Sequence, residues 1–519
     1  MMSCKLYFRG LVSTYEAEHT ARMFFPDAQA VKHWPGRGED AVAVLQNGVR
    51  LVCGVRRAGV CTVRTWHVGA ANLQGTSAAE VPAPFTPSEY EICRALFLLL
   101  REVTGICPPW GMLTGVRPVR LVRRLGEAGN SAEQVKEILC GKYFVSEGKY
   151  RLAAQTAENE RGALALNTPR SCSLYIGIPF CPSRCSYCSF VSRTTAESGR
   201  LIAPYIARLC EELADIRALM EQLRLRLETI YIGGGTPTAI PPNELRTLMR
   251  TVERLFDLSA VREYTVEAGR PDCTTPEKLA IIRQYGATRV SINPQTLSDD
   301  VLRAIGRRHT AQDILDCFAE ARGQGFHNIN MDLIAGLPRD TPEGFAASLS
   351  GVVALGPENI TVHTLTLKRA SNLVIDGAAA DYGDAAQMLT SCGRLTEAGY
   401  TPYYLYRQKG TLQNLENTGY TKPGFTGLYN IFIMEEIHTI LSAGAGGATK
   451  LVGADGTIRR IFNYKYPSEY ISHFDEVRAR KKGVEEFYAE HVDLDPETPC
   501  GGKVGELSRA HAGGPGGGM

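Results

Sequence analysis

The fold is decided by Tyr175-Ile-Gly-Ile-Pro-Phe-Cys181-Pro-Ser-Arg-Cys185-Ser-Tyr-Cys188-Ser-Phe190, a short apolar strand candidate followed by three closely spaced cysteines. Their spacing, C-x3-C-x2-C, places three thiolates on one loop. Three thiolates can hold three irons of a four-iron cluster and leave the fourth iron open for a substrate or cosubstrate. The alternative is a zinc site with a distant fourth ligand, although zinc motifs usually show paired C-x2-C knuckles and this sequence has no second pair.

Outward from this loop, β-type runs alternate with helical patterns from Ser171 onward. Six such repeats predict parallel strands with right-handed crossovers, and six rather than eight predict an incomplete barrel that is open on one side. Chemistry in such folds lies at the C-terminal ends of the strands, where the cysteine loop follows the first strand. The strand candidates are Ser173–Ile178, Thr229–Ile232, Glu263–Glu267, Arg289–Ile292, Ile329–Ile334 and Ile360–Leu365. The helical candidates are Ile202–Arg226, Asn243–Phe256, Pro276–Tyr285, Ala311–Gly323 and Thr341–Leu355.

Other segments flank the repeats. Before them, β-type runs around the turn signal Asn47-Gly48 precede a proline break and further helical patterns, which predicts an α+β accessory domain over residues 1–168. We expect the α/β partial barrel over 169–372 and a C-terminal region over 373–493, with a helix at Ala385–Ala398 and the Gly-rich stretch 443–449. Residues 494–519 are rich in Gly and Pro, which predicts a disordered tail.

The N-terminal segment also contains a basic stretch. It places four arginines within eight residues, namely Arg117, Arg120, Arg123 and Arg124. Such a stretch either binds an acidic ligand or forms the exposed face of an amphipathic helix. Lys368 and Arg369, which follow the sixth strand candidate, are further candidates for binding carboxylates.

Composition bounds the class of protein. The 519 residues suffice for two or three domains, and 57 Lys and Arg balance 55 Asp and Glu, so nothing global favours nucleic acid or an anionic membrane. We see no apolar run near the ~20 residues of a membrane span and no signal-peptide h-region. The 15 cysteines are scattered over a large chain. This pattern favours a reducing cytoplasm over a disulfide framework.

Polar residues follow the predicted strands. Gly233-Gly-Gly235-Thr236 comes directly after the second strand, and its glycines would allow backbone to approach a ligand closely. The remaining polar candidates are Glu267, Gln295, Arg307 and Asp332, at or just beyond later strands. A carboxylate inside an apolar strand is costly unless it binds something, so Asp332 in particular is predicted to be functional.

These motifs together give a family resemblance. The cysteine loop is the signature of radical S-adenosylmethionine (SAM) enzymes, and residues 171 to about 370 resemble the radical SAM domain of the oxygen-independent coproporphyrinogen oxidase group. That group includes the HemN oxidases, the HemW haem chaperones and the HemZ branch. The fuller likeness is to the HemZ branch and covers nearly the whole chain except the tail. It rests on the cysteine loop, Leu113-Thr-Gly-Val-Arg-Pro118, Thr265-Val-Glu-Ala-Gly-Arg-Pro-Asp272, Thr361-Val-His-Thr-Leu-Thr-Leu-Lys-Arg-Ala-Ser371 and Asn414-Leu-Glu-Asn-Thr-Gly-Tyr420.

The resemblance implies a set of cofactors, partners and roles. A [4Fe–4S] cluster is expected on Cys181, Cys185 and Cys188, and SAM is expected to be the second cofactor. The implied reaction is oxidative decarboxylation of two coproporphyrinogen III propionates to vinyls, which forms protoporphyrinogen IX and depends on a flavodoxin- or ferredoxin-type electron donor. Tyr175 is the implied catalytic residue. The implied SAM contacts are Tyr175, Tyr187, Gly234, Gly235, Thr236, Glu267, Gln295, Arg307 and Asp332.

Three departures from the group keep other activities open. HemN and HemW usually have a histidine where this chain has Gly177, and HemN has a further cysteine where Ser189 and Phe190 follow the triplet. The haem-chaperone motif His-Asn-x-x-Tyr-Trp has no histidine at the comparable place, Leu428-Tyr429-Asn430. The missing motif disfavours a haem chaperone, whereas the glycine at 177 removes a group expected on the substrate side of an oxidase. The alternatives are a haem-binding or trafficking protein of HemW type without decarboxylase activity, and radical SAM chemistry on another substrate.

Overall fold

The computed structural model describes residues 4–36, 38–68, 86–115, 117–188, 190, 192–368, 371–375 and 382–492. The predicted tail, 494–519, and Arg369 lie outside these ranges. No helix within them is long and apolar enough to cross a membrane.

The N-terminal part combines a small sheet with five helices. Its five strands lie in the order β2-β1-β3-β4-β5, and the predicted hairpin at Asn47-Gly48 joins β3 to β4. Helix α4 continues into a π-helical turn over Glu137–Lys142. The elements, in chain order, are β1 Lys5–Arg9, α1 Tyr15–Arg22, β2 Gln29–Val31, β3 Ala41–Asn47, β4 Arg50–Arg57, β5 Val60–His67, α2 Pro87–Thr104, α3 Pro118–Glu127, α4 Ala132–Lys136 and α5 Glu147–Leu164.

The middle of the chain forms the partial barrel. All six predicted strands are present and pair in parallel in the order β6-β9-β10-β11-β12-β13, which confirms the fold class. The elements are β6 Ser171–Ile178, β7 Phe180–Cys181, β8 Arg193–Thr194, α6 Thr195–Ser198, α7 Ile202–Gln222, β9 Arg226–Gly234, α8 Pro242–Leu255, β10 Glu263–Glu267, α9 Pro276–Gln284, β11 Arg289–Ser291, α10 Asp299–Ala304, α11 Ala311–Gly323, β12 Ile329–Ala335, α12 Pro342–Leu355 and β13 Asn359–Thr364.

The C-terminal part extends the barrel sheet at both edges. Strand β16 pairs in parallel with β6, and β15 pairs antiparallel with β13, so eleven strands form one open sheet. The elements are α13 Asn372–Ile375, α14 Ala385–Thr390, α15 Gly393–Glu397, β14 Thr401–Arg407, β15 Glu416–Thr421, α16 Leu428–Glu435, β16 Thr439–Ala443, β17 Ala448–Val452, β18 Ile458–Phe462, α17 Pro467–Ser472, α18 Phe474–Arg480 and α19 Lys482–His491. The division of the chain at 168, 372 and 493 stays a prediction.

Local sequence explains most of the helix boundaries. Helix α11, for example, begins after Thr310, whose hydroxyl accepts from the Asp313 amide while the Asp313 carboxylate accepts from the Thr310 amide. Two predicted helices end differently from expectation. The first ends at Gln222 rather than Arg226, because β9 already begins at Arg226. The stretch Ala385–Ala398 forms the two short helices α14 and α15 rather than one.

Buried polar contacts attach the N-terminal helices to the C-terminal strands. The Trp110 indole donates to the Glu416 carboxylate at 2.8 Å, and Arg407 donates to the Leu113 carbonyl at 2.7 Å. The Arg407 guanidinium also lies 5.6 Å from the centre of the Trp110 ring. These contacts fix the N-terminal part against β14 and β15, at one edge of the barrel sheet.

The basic stretch takes part in the same interface, so neither sequence interpretation of it holds. Arg117 and Arg120 form ion pairs with Glu436, and Arg123 forms one with Glu435. Both glutamates are almost fully buried at the C-terminal end of α16. Three of the four arginines are therefore committed to carboxylates of this chain, while Arg124 is exposed.

Candidate radical SAM site

One cavity of about 620 Å³ opens at the C-terminal end of the barrel strands. Every residue that the sequence predicts for the cluster or for SAM lines it, and Lys368 lies at its rim. The predicted set is Tyr175, Cys181, Cys185, Tyr187, Cys188, Gly234, Gly235, Thr236, Glu267, Gln295, Arg307 and Asp332. The structure thus brings these side chains together, while their individual roles stay predictions.

The cysteine loop is held by its neighbours. Thr236 lies with its hydroxyl 3.6 Å from the Cys181 sulfur, and the Arg270 guanidinium donates to the Cys185 sulfur at 3.5 Å. Burial raises the pKa of Cys188 to about 11. Donors that face the sulfurs favour the thiolate form, which is the form that binds iron. Sequence reasoning missed Arg270, although the Gly-Arg-Pro-Asp segment quoted above contains it.

The glycine stretch packs directly against this loop. A Cβ atom on Gly235 would lie 2.5 Å from the Phe180 carbonyl oxygen and 3.0 Å from the Cys181 sulfur. Gly234 has φ = +115°, which side chains rarely adopt. The sequence predicts that these glycines allow a ligand to approach the backbone closely. At Gly235 the cysteine loop itself occupies the space that a side chain would need.

Two carboxylates face the cavity, and their pKa values are shifted in opposite directions. Burial raises the pKa of Glu267 to about 7, although the Tyr231 hydroxyl donates to it at 2.7 Å. Burial also acts on Asp332, but hydrogen bonds outweigh it and lower its pKa. Its partners include the Asn330 amide at 2.7 Å and the His363 ring, whose Nε2 lies 3.7 Å from Oδ2. Asp332 is therefore anionic at neutral pH, whereas Glu267 titrates there.

Gln295 and Arg307 connect the loops above β11. Gln295 has φ = +67°, a conformation that costs a non-glycine residue of the order of 1–3 kcal/mol and is often retained at functional sites. The backbone amide of Gln295 donates to the backbone carbonyl of Asp332 at 2.8 Å. Arg307 donates to the Asn293 carbonyl at 2.6 Å and to the Tyr187 hydroxyl at 3.3 Å. These contacts tie the last turn of the cysteine loop to the strand ends.

Aromatic side chains form much of the remaining wall. The ring of Tyr175, the predicted catalytic residue, is stacked with the rings of Tyr231 and Tyr429, with ring centres 6.2 Å and 6.5 Å apart. The ring centres of Tyr231 and Tyr429 are 4.5 Å apart. Tyr404 and Tyr406 form a second stacked pair at 6.2 Å. The sequence pattern did not indicate His363, Tyr231, Tyr404, Tyr406 or Tyr429 as residues of the site. Only the fold brings these residues, from strands far apart in the sequence and from α16, to one wall.

The described residues offer no place for a single metal ion held by three or more His, Cys, Asp or Glu side chains. A four-iron cluster instead takes one thiolate at each of three corners and needs no such convergence. Three thiols on one loop, two of them facing donors and all lining one cavity, fit the cluster.

Comparison with known proteins agrees with this geometry. The radical SAM superfamily model matches residues 175–350. The oxygen-independent coproporphyrinogen-III oxidase-like protein HemZ of Bacillus subtilis is 40% identical over 391 residues, which are 74% of this chain and 78% of the relative. The haem chaperone HemW of the same organism is 37% identical over 197 residues, 38% of this chain and 51% of the relative. The solved structure of coproporphyrinogen III oxidase (HemN) from Escherichia coli matches with a TM-score of 0.49 at 24% identity and covers 62% of this chain and 73% of that one.

Radical SAM proteins use a [4Fe–4S] cluster and SAM, and these are accordingly the cofactors of this chain. The extent of the HemZ match and the cysteine loop agree on one assignment. The chain belongs to the HemZ-type family of oxygen-independent coproporphyrinogen-III oxidase-like proteins, within the radical SAM superfamily.

Proposed function

We propose that this chain catalyses the oxidative decarboxylation of coproporphyrinogen III propionates to vinyls in anaerobic haem biosynthesis, forming protoporphyrinogen IX. One observation carries the proposal. The three thiols, the two carboxylates Glu267 and Asp332, and an aromatic wall share one cavity in a chain of the HemZ family. Its volume of about 620 Å³ is within the range of sites for large organic ligands.

In this proposal the cysteine loop holds the cluster through Cys181, Cys185 and Cys188. Thr236 and Arg270 orient the sulfurs through the contacts described above. These donors also stabilise negative charge on the thiolates. The chain's contribution at this end of the cavity is therefore to fix the loop and to offset part of the effect of burial, which raises the pKa of Cys181 and Cys188.

The SAM-binding residues divide by charge. Glu267 and Asp332 are placed to accept hydrogen bonds from the amino group and the ribose hydroxyls, and Gln295, Gly234 and Arg307 present backbone and side-chain groups beside them. Tyr175 and Tyr187 enclose the site with aromatic faces. When bound, the cluster and SAM supply hydrogen-atom abstraction. Conversion of each propionate to a vinyl group would release CO₂, one hydrogen atom to the bound cofactors and one electron, which a one-electron acceptor such as an oxidised redox protein would take up.

The proposed partners are a tetrapyrrole substrate and an electron donor of flavodoxin or ferredoxin type. Lys368 lies at the rim of the cavity, where a cation can attract the propionates of the substrate. A cytoplasmic location stays a prediction.

A second candidate function is haem binding and trafficking without decarboxylation. It is favoured by the match to the relative named haem chaperone HemW. His438, close to α16, is unsuited to bind haem, because it is buried and both ring nitrogens contact neighbours, Ser173 and Asn167. His363, in contrast, lines the cavity, so it is the histidine that the trafficking function would use to bind haem.

Product analysis separates the two functions. Anaerobically reconstituted protein is incubated with coproporphyrinogen III, SAM and dithionite, and the products are resolved by chromatography. The first function predicts a vinyl tetrapyrrole together with deoxyadenosine. Stoichiometric haem capture without any vinyl product would favour trafficking. Cys185→Ala should abolish turnover, whereas the matched control Cys317→Ala, which removes a buried thiol outside the cavity, should retain it.

A further inference from the structure

The inner face of the barrel is polar at the level where similar barrels are filled with apolar side chains. Tyr175, Tyr231, Thr265 and Arg289 are direct neighbours in the register of β6, β9, β10 and β11, so their side chains share one face and one layer. A filled barrel interior normally carries branched apolar residues here. In this chain the next residues along each strand, such as Ile176, Ile232, Val266 and Val290, belong to the apolar core outside the sheet.

Arg289 is the exceptional member of this layer. Only 1% of the residue is exposed, yet it lines the cavity. Its Nε and Nη2 atoms are buried and find no hydrogen-bond partner in the described part of the chain. An arginine stays charged in proteins, so burial cannot remove the charge by deprotonation. Buried N–H groups without acceptors are unfavourable, and a carboxylate ligand would supply the acceptors that Nε and Nη2 lack.

The nearby carboxylates are already engaged. Glu263 accepts from the backbone amides of Leu428 and Tyr429 at the start of α16. Glu267 accepts from the Tyr231 hydroxyl. Among the described residues no ion pair joins Arg289 to either glutamate, so the attraction between Arg289 and each of them acts over a longer distance. Arg289 therefore lines the cavity without a paired carboxylate among the described residues, and a shift of its side chain would present the unbonded Nε and Nη2 edge to a carboxylate that enters.

The surroundings of Arg289 specify the kind of ligand. Tyr231 lies two strands from Arg289 in the same layer and stacks with Tyr429, and Tyr404 lies close to Arg289 from β14. Aromatic faces beside a buried cation suit a flat, apolar ring system that carries carboxylate arms. Arg289 begins β11, and the loop that follows β11 carries Asn293, whose carbonyl accepts from Arg307 beside the cysteine loop. Arg289 therefore lies deeper in the barrel than the reacting end.

We propose that Arg289 forms a carboxylate-binding subsite on the floor of the cavity, and that it binds a propionate of the tetrapyrrole that is not reacting while another propionate lies at the cysteine loop. This inference rests on the proposed function. The guanidinium would bind the carboxylate through two parallel hydrogen bonds, which fixes the orientation of the ring as well as its depth.

The test compares charged and uncharged porphyrins. Anaerobically reconstituted parent, Arg289→Met, Arg289→Lys and the control Arg322→Met, which removes an arginine of α11 outside the cavity, are titrated with coproporphyrin III and with its tetramethyl ester by fluorescence. SAM affinity, iron content and thermal unfolding are measured in parallel. We expect Arg289→Met to weaken coproporphyrin III binding at least tenfold, about 1.4 kcal/mol, with ester and SAM binding unchanged. Arg289→Lys should be intermediate, because an ammonium group cannot make the paired contact.

Several results would overturn the subsite. Unchanged coproporphyrin III affinity in Arg289→Met would do so, as would equal weakening of the ester, which would indicate a role in shape alone. Lost SAM affinity would assign Arg289 to SAM instead. If Arg289→Met does not fold, the comparison of the parent with Arg289→Lys still tests the subsite. The parent must bind the tetracarboxylate at least tenfold more tightly than the ester. A parent that binds SAM but no coproporphyrin III would refute the proposed function and this subsite with it.

Discussion

Glu436→Gln should destabilise the whole chain, because one buried carboxylate holds four cations from three parts of the molecule. Arg117 and Arg120 reach it from α3, and Lys450 and Arg460 reach it at 3.3 Å and 2.9 Å from β17 and β18. Gln keeps the size of the side chain. It also leaves unchanged the backbone strain at this position, where φ is +52°.

The magnitude follows from burial. The Glu436 side chain is 3% exposed, and its partners Arg117 and Lys450 are 25% and 12% exposed. Removing one member of a buried ion pair typically costs about 3–5 kcal/mol, because the remaining charges lose their compensation. For a cooperative unit of 150–250 residues, the midpoint of thermal unfolding should fall by at least about 6 °C. Because α16 carries Tyr429 and Asn430, part of the cavity wall should loosen as well.

Calorimetry and urea unfolding of the parent, Glu436→Gln and Glu158→Gln measure this effect. Glu158 pairs with Arg161 on the exposed side of α5, so the control should lose no more than about 1 kcal/mol. Burial opposes ionisation of Glu436, but the cations lower its pKa below the ordinary value. Its ion pairs therefore stabilise the fold above the unfolded-state pKa of about 4.3, and this contribution disappears as pH falls through the lower folded-state value. A loss as small as that of Glu158→Gln at pH 7 would refute the reasoning.

Three further predictions concern the cavity. Gly235→Ala should lower the iron bound after reconstitution, because its Cβ would collide with the cysteine loop, whereas Gly162→Ala, which faces open space, should not. SAM affinity, measured by equilibrium dialysis, should fall about tenfold per pH unit below 7 as Glu267 is protonated, and Glu267→Gln should bind weakly without this dependence. Lys368→Ala should raise the KM for coproporphyrinogen about fivefold while uncoupled SAM cleavage persists, and unchanged kinetics would remove this lysine from the site.

The barrel was predictable because each strand carries its own signal. Apolar β-type runs bounded by helical patterns locate all six parallel strands, and the cysteine loop and glycine stretch follow the first two. Strand β16 was not predicted as a barrel strand. Thr439–Ala443 is short, and its pairing with Ser171–Ile178 joins residues more than 260 positions apart, for which no local pattern exists.

The site was predictable where residues follow strands in order, and not where the C-terminal part folds back. Glu267 ends β10, Gln295 follows β11 and Asp332 lies within β12, whereas Tyr429 reaches the cavity from α16. The arginine stretch illustrates the same limit. Its charge pattern is visible in the sequence, but Glu435 and Glu436, which neutralise it, lie more than 300 residues away.

Iron analysis of the anaerobically reconstituted protein tests the central claim most directly. The parent should hold about four irons and four sulfides, and its spectrum should change on addition of SAM. The variant with Cys181, Cys185 and Cys188 all replaced by Ala should hold none. A full cluster retained in that variant, or one zinc in place of iron in the parent, would contradict the assignment of this cavity as a radical SAM site.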